Sequence, residues 1–126
     1  MTTVRVWKAL NGLREDLFLY WEDTDLSLRA VEAGYRLAVV ANATMWHRVG
    51  GSSDRSGKST AYYYYMARNR LVVCGQRTPR VGVLLGPGLR STIRLAARAS
   101  REPENRAGKL MSVVRGSAAS MTAARS

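Results

Sequence analysis

Leu17-Phe18-Leu19-Tyr20-Trp21-Glu22-Asp23-Thr24-Asp25-Leu26-Ser27-Leu28-Arg29 is the stretch on which the reading of this chain turns. Its first five residues are apolar or aromatic, a run of strand length that predicts an extended, buried segment. Three acids follow at once. Asp23 or Thr24 can accept hydrogen bonds from free backbone N–H groups, so a helix is predicted to begin there. Acids in a first turn also suit the positive end of the helix dipole, and by that argument alone Glu22, Asp23 and Asp25 are no more than a helix start. Leu28, Ala30, Val31 and Ala33 supply an apolar stripe, and Arg29 stands four residues after Asp25, the spacing of an ion pair along one helix face. Gly34 is predicted to stop the helix, with Tyr35 folding back as the hydrophobic partner of a Schellman cap. Leu37 to Val40 is entirely apolar and reads as a strand covered on both faces. Ala41-Asn42-Ala43 then turns the chain, and Thr44 to His47 is a second extended piece that closes on Trp46 and the only histidine, His47. Acids and an imidazole are therefore expected at one cleft.

The order aromatic-Glu-Asp-X-Asp-Leu, then Leu-Arg, Ala33-Gly34-Tyr35-Arg36, a hydrophobic strand and aromatic-His resembles the acceptor-side half of inverting family 2 glycosyltransferases, in particular their rhamnosyl- and galactofuranosyltransferase-like branch. The resemblance spans roughly residues 5 to 75 and is specific over Phe18 to His47. It implies an α/β fold, a partial GT-A (nucleotide-diphospho-sugar transferase-like) domain followed by a basic helical C-terminal tail. The implied divisions are 1–77 for the acceptor-side portion, 78–102 for a basic amphipathic, membrane-peripheral helix, and 103–126 for a weakly helical to disordered tail.

The activity that the resemblance implies is transfer of a sugar, with inversion, from a nucleotide-sugar donor to a glycan or lipid-linked acceptor, as in cell wall or polysaccharide biosynthesis. Inversion requires a hydroxyl to attack the anomeric carbon opposite the leaving nucleoside diphosphate. A carboxylate takes the proton while a divalent metal stabilises the departing phosphate. Carried over residue by residue, Asp23 becomes the general base, and Glu22, Asp25, Trp21 and Arg29 line or orient the acceptor site. His47 becomes a ligand of a divalent metal (Mn or Mg), and Trp46 a pocket wall. The family's other metal ligand comes from an upstream Asp-X-Asp beside the nucleotide site. Asp23-Thr24-Asp25 has that spelling, but its place after Trp21-Glu22 aligns it with the acceptor-side acids. The expectation is thus a fragment, inactive alone, whose nucleotide-binding half is missing. The sequence departs from the pattern at Arg14, where Asn11-Gly12-Leu13-Arg14-Glu15 replaces Gly-Gly-Phe-Asp-Glu, and at Ala41-Asn42-Ala43, where the family has Pro-Asp-Ala.

Outward from this stretch, Val4 to Leu10 predicts a short helix stopped by Asn11-Gly12. Val49 to Lys58 is a glycine- and serine-rich loop. A phosphate-cradle reading of it fails, because a serine stands five residues before Gly57, where the first glycine of a P-loop would be. Ser59 to Arg77 has helical length, and four consecutive tyrosines, Tyr62 to Tyr65, cover so much of the circumference that some must face a groove or a partner. Its end, Arg68-Asn69-Arg70-Leu71, matches the family's Arg-Asn-X-Leu. Arg90, Arg94, Arg98 and Arg101 recur at helical spacing with Leu89, Ile93, Ala96 and Ala97 on another face, which suits either an interfacial membrane helix or a solvated surface helix. Ser117 to Ser126 is expected to be disordered.

With 126 residues and 46% hydrophobic content the chain is one small domain by length and not a disordered one. The single cysteine, Cys74, excludes an internal disulfide. Through Gly50 the basic residues Arg5, Lys8, Arg14, Arg29, Arg36 and Arg48 balance Glu15, Asp16, Glu22, Asp23, Asp25 and Glu32. Beyond it only Asp54, Glu102 and Glu104 offset the remaining lysines and arginines, which carry the net charge of +11. That asymmetry points to an anionic partner, a membrane surface or nucleic acid. The nucleic-acid reading is the weaker, since the arginines lack interleaved aromatics. No signal peptide is read at the start, and Val81 to Leu89 is too short and too broken by glycine to span a bilayer. A cytoplasmic protein, peripheral at the inner face of the membrane, is expected. A non-catalytic basic protein that binds a membrane or a larger partner is the alternative to the enzyme.

Overall fold

The computed structural model describes residues 2–46, 57–79, 82 and 85–123. They fall into two compact units, 1–50 and 51–126.

In the first unit, α1 (Val4–Ala9) is capped by Thr3, whose Oγ1 accepts from the Val6 N–H at 3.3 Å. Asn11 and Gly12 end it with φ of 56° and 63°, the left-handed pair that the sequence predicts. A side chain at Gly12 would bring its Cβ within 3.0 Å of the Trp7 ring. A 3₁₀ turn (Glu15–Leu17) leads to α2 (Glu22–Glu32). At the far end of α2 the Gly34 N–H donates to the Val31 carbonyl and the Tyr35 N–H to the Ala30 carbonyl, both at 2.9 Å. With Gly34 at φ 84°, this is the predicted Schellman cap.

The expected α/β class, and with it the partial GT-A domain, is overturned. The described residues form helices, turns and irregular segments, and none is in a strand. Leu37 to Val40 has strand-like composition, yet Leu37, Val39 and Val40 are 60%, 98% and 65% exposed. An apolar run becomes a strand only where neighbouring strands take its backbone hydrogen bonds and a second layer covers its faces. Neither exists among the described residues. Thr44 to Trp46 is likewise unpaired into any sheet. Leu17 to Trp21 is not extended either. Phe18, Tyr20 and Trp21 adopt φ of 55°, 65° and 74°, and of the five residues only Leu17 is buried. Three bulky residues in left-handed conformations coil this segment tightly into the first turn of α2, at a local cost of order 1–3 kcal/mol each.

In the second unit, α3 (Thr60–Gly75), α4 (Pro87–Ser100) and α5 (Arg106–Ala123) pack together, most extensively α3 against α5. Ser59 caps α3 by accepting from the Tyr62 N–H at 3.1 Å. Tyr63, Ala67, Ala99 and Val113 form the core, flanked by Tyr62, Leu95, Ala96 and Leu110. The stretch 103–126, expected to be weakly helical to disordered, is thus helical from Arg106 to Ala123. The small residues of this stretch are what let two helices meet at backbone distance: a Cβ on Gly116 would lie 2.3 Å from the Tyr64 carbonyl oxygen. Among the described residues no helix is long and apolar enough to cross a membrane.

Candidate functional site

The acids at the start of α2 are held in different ways. The Asp25 side chain is wholly buried, and its Oδ2 accepts from Arg29 Nε at 2.7 Å, the pair expected from the i,i+4 spacing. Its Oδ1 lies 3.7 Å from a terminal nitrogen of Arg14. Arg29 also donates to the Leu10 carbonyl and, at 2.8 Å, to the Gly12 carbonyl. One guanidinium therefore satisfies the carbonyls at the end of α1 and the buried carboxylate in α2 together, fixing the two helices. Arg14 forks onto Asp16 at 3.0 and 2.7 Å. That bidentate bond is the main reason its pKa is held above the ordinary arginine value, with partial burial opposing it and the fields of Asp16 and Asp25 adding to it.

Asp23 is exposed. Its Oδ1 accepts from the Thr24 N–H at 2.6 Å and from the Thr24 hydroxyl at 3.3 Å. The Ser27 hydroxyl donates to the Asp23 carbonyl at 2.8 Å. Glu22 is half-buried, and its Oε2 has neither solvent contact nor a hydrogen-bond partner. Trp21, half-buried, precedes the helix in a left-handed conformation and its carbonyl accepts from the Asp25 N–H at 2.8 Å. The structure thus places Trp21, Glu22, Asp23 and Asp25 at the start of α2, and the Arg29 side chain reaches Asp25 from the last turn of the same helix. Trp46 is 96% exposed. His47 lies outside the described residues, as do residues 49–56 of the glycine- and serine-rich loop. A divalent metal finds no fitting donor set in what is described. No group of three or more His, Cys, Asp or Glu side chains converges among those residues, and Asp25 is already committed to two arginines.

A second buried charge cluster lies in the 51–126 unit. Glu102 Oε1 accepts from the Tyr63 hydroxyl at 2.6 Å, while Oε2 accepts from Lys109 Nζ at 3.1 Å and from the Lys58 N–H at 2.9 Å. Glu102 and Lys109 are both buried. The Tyr63 bond, with those from Lys109 and Lys58, holds the Glu102 carboxyl below the usual range against the opposing effect of burial. Burial first, and then the same carboxylate, pushes the Tyr63 hydroxyl well above its ordinary value. Gly57, at φ 78°, leaves the space Glu102 occupies, since a Cβ there would fall 1.7 Å from Oε2. The segment Gly57-Lys58-Ser59 thereby serves packing and capping in this fold.

Comparison with known proteins finds two partial relatives. Over 57 residues the chain is 40% identical to the galactofuranosyltransferase GlfT2 of Mycobacterium tuberculosis, covering 45% of this chain and 9% of that protein. Over 79 residues it is 34% identical to GlfT2 of Mycolicibacterium smegmatis, covering 62% of this chain and 12% of that protein. The chain carries a glycosyltransferase-related region. It spans no more than about an eighth of the length of either relative. No family model matches the chain. No solved structure matches it.

Reading the sequence alone missed two of the groups that shape these clusters. Arg14 counts only as a departure from the family pattern, although a cation two residues before Asp16 and near three further acids is a recognisable partner in a tight turn. The Tyr63, Glu102 and Lys109 cluster joins residues 39 and 7 apart in sequence, with no periodicity to announce it.

Proposed function

We propose that this chain supplies the acceptor-activating aspartate of a glycosyl transfer reaction that proceeds with inversion, from a nucleotide-sugar donor to a glycan or lipid-linked acceptor. Asp23 is the general base. The observation that carries the reading is the contrast at one helix end, a solvent-facing Asp23 carboxylate on a turn anchored by a buried Asp25, within a chain that is partly similar to a galactofuranosyltransferase. Asp23 Oδ1 is occupied by Thr24, which fixes the carboxylate plane and leaves Oδ2 to take the proton of an attacking hydroxyl. Asp25, Arg29 and Arg14 act as positioning residues through the backbone they clamp, and Trp21 offers an aromatic face on which a sugar ring can stack. The nucleotide-binding part of the reaction belongs to sequence outside the small fraction of the relatives that this chain spans.

The test is reconstitution. The chain is mixed with a separately expressed nucleotide-binding portion of a galactofuranosyltransferase, and sugar transfer from a nucleotide-sugar donor to a glycan acceptor is followed. Asp23→Asn is expected to lower the rate by about 10²-fold or more, the usual contribution of a positioned base. Undiminished transfer by that variant, or no transfer with any partner half, refutes the reading.

A further inference from the structure

We propose that the depression between α3 and α4 lined by Met66, Arg70, Ser91, Arg94, Leu95 and Arg98 is a binding site for a phosphate group, one that does not rest on the sugar-transfer reading. Three arginines from two helices line it. Arg94 and Arg98 stand one turn apart on α4 and are exposed, while Arg70 enters from α3 and is half-buried. Arg70 is held in place from behind, one terminal nitrogen donating to the Gly88 carbonyl at 3.2 Å and the other to Thr92 Oγ1 at 2.5 Å. Both of these partners are neutral. Its Nε is shielded from solvent and has no hydrogen-bond partner. Burial pushes the Arg70 pKa below its ordinary value, as expected for a cation with no counter-charge beside it.

None of the residues lining the depression is acidic. Of the two described acids in this unit, Glu102 is committed to Tyr63, Lys109 and Lys58, and Glu104 is not part of the lining. Like charges gathered without a carboxylate repel one another unless an anion joins them. Arginine rather than lysine at all three positions suits the tetrahedral oxygens of phosphate, which planar guanidinium groups meet in pairs. Met66 and Leu95 supply apolar wall that limits competition from water. The volume, about 210 Å³, accommodates a phosphate or a lipid headgroup but falls below the range for pockets that enclose drug-sized ligands.

The phosphate can belong to a soluble ester or to a phospholipid headgroup, and two arms separate these sources. In the first, inorganic pyrophosphate is titrated into the full chain by calorimetry at about 0.15 M salt, where contacts between distant exposed charges are screened. In the second, co-sedimentation is measured with vesicles of phosphatidylcholine alone and of phosphatidylcholine with phosphatidic acid. The double variant Arg94→Gln/Arg98→Gln alters exposed positions, so folding is retained and checked by circular dichroism. Arg101→Gln/Arg115→Gln removes the same charge from exposed positions outside the depression. The site predicts that the first double variant weakens binding about tenfold or more, as loss of charge-assisted hydrogen bonds requires, while the second changes it by less than about threefold. Selective loss in the pyrophosphate arm assigns a soluble phosphate, and selective loss confined to the phosphatidic acid vesicles assigns a headgroup. Equal loss in both double variants, or no binding in either arm, overturns the proposal.

Discussion

Replacing Glu102 by Gln removes one negative charge and almost no volume, which makes it the sharpest probe of the second unit. In the native chain the carboxylate accepts from Tyr63, from the Lys58 backbone and from Lys109. The glutamine oxygen can still accept from Lys58 and Lys109, and its amide nitrogen can donate to the Tyr63 oxygen. What it cannot restore is the counter-charge of Lys109, whose side chain is only 5% exposed. Removing one partner of a buried pair costs on the order of 3–5 kcal/mol, and relaxation of the long lysine toward solvent places the expectation at the lower end. The pH dependence carries the same sign. Glu102 has a folded-state pKa below its unfolded value of about 4.3, so its contribution is complete above that value and is lost as pH falls through the lower folded pKa. Native stability should therefore decline with acidification below about pH 4, and the part of that decline due to Glu102 should vanish in Glu102→Gln. Urea unfolding followed by tyrosine near-ultraviolet circular dichroism reads the unit through Tyr62 to Tyr65. Adding Lys109→Met to Glu102→Gln should recover part of the loss, because it removes the stranded ammonium. A Glu102→Gln midpoint within about 0.5 kcal/mol of native would refute the reasoning, as would a double variant less stable than the single one.

Gly116→Ala should destabilise the α3–α5 contact: the new Cβ meets the Tyr64 carbonyl, and overpacking of about 1–3 kcal/mol outweighs the gain of about 1 kcal/mol in helix propensity. A higher thermal midpoint by far-ultraviolet circular dichroism would contradict the close approach. Arg29→Met leaves the buried Asp25 carboxylate and the Leu10 and Gly12 carbonyls without their shared donor, so a loss of about 3 kcal/mol or more is expected in the first unit. Hydrogen exchange over residues 4–12 and 22–32 measures it, and unchanged protection would count against the clamp. Asp25→Asn should produce a comparable loss of protection, whereas Asp23→Asn, at an exposed position, should stay within about 0.5 kcal/mol of native. Equal effects of the two on protection would remove the distinction between them.

Local rules recovered the helix starts and stops upstream of the C-terminal helix and failed at the sheet. The Asn11-Gly12 stop, the Gly34 cap, the Ser59 start and the Asp25–Arg29 pair each depend on residues within five positions of one another, so a single chain segment contains all the physics they need. A strand is different, because Leu37 to Val40 holds only half of each hydrogen bond a sheet requires. Its apolar composition could not reveal that no partner among the described residues supplies the other half. The same limit explains the C-terminal helix. Alanine, glycine and serine between 106 and 123 carry weak signals of their own, and their helix becomes stable by packing closely on α3, a partner some forty to fifty residues away in sequence.

The candidate site was legible to the degree that helix geometry is. Successive residues on an α-helix turn by about 100°, so residues two apart face nearly opposite sides. Asp23 and Asp25 open the same helix, and this angle alone requires that if one points inward the other points out. The sequence specifies which one, since Arg29 four residues on lies on the Asp25 side and carries the charge that makes burial of a carboxylate tolerable. Arg14 and the Leu10 and Gly12 carbonyls complete that inner face, through contacts across the turn that spacing does not encode. An acid secured on the inside is what keeps the outer acid at a fixed place on the surface, and the positive φ angles of Phe18, Tyr20 and Trp21 set the direction in which the pair enters the helix.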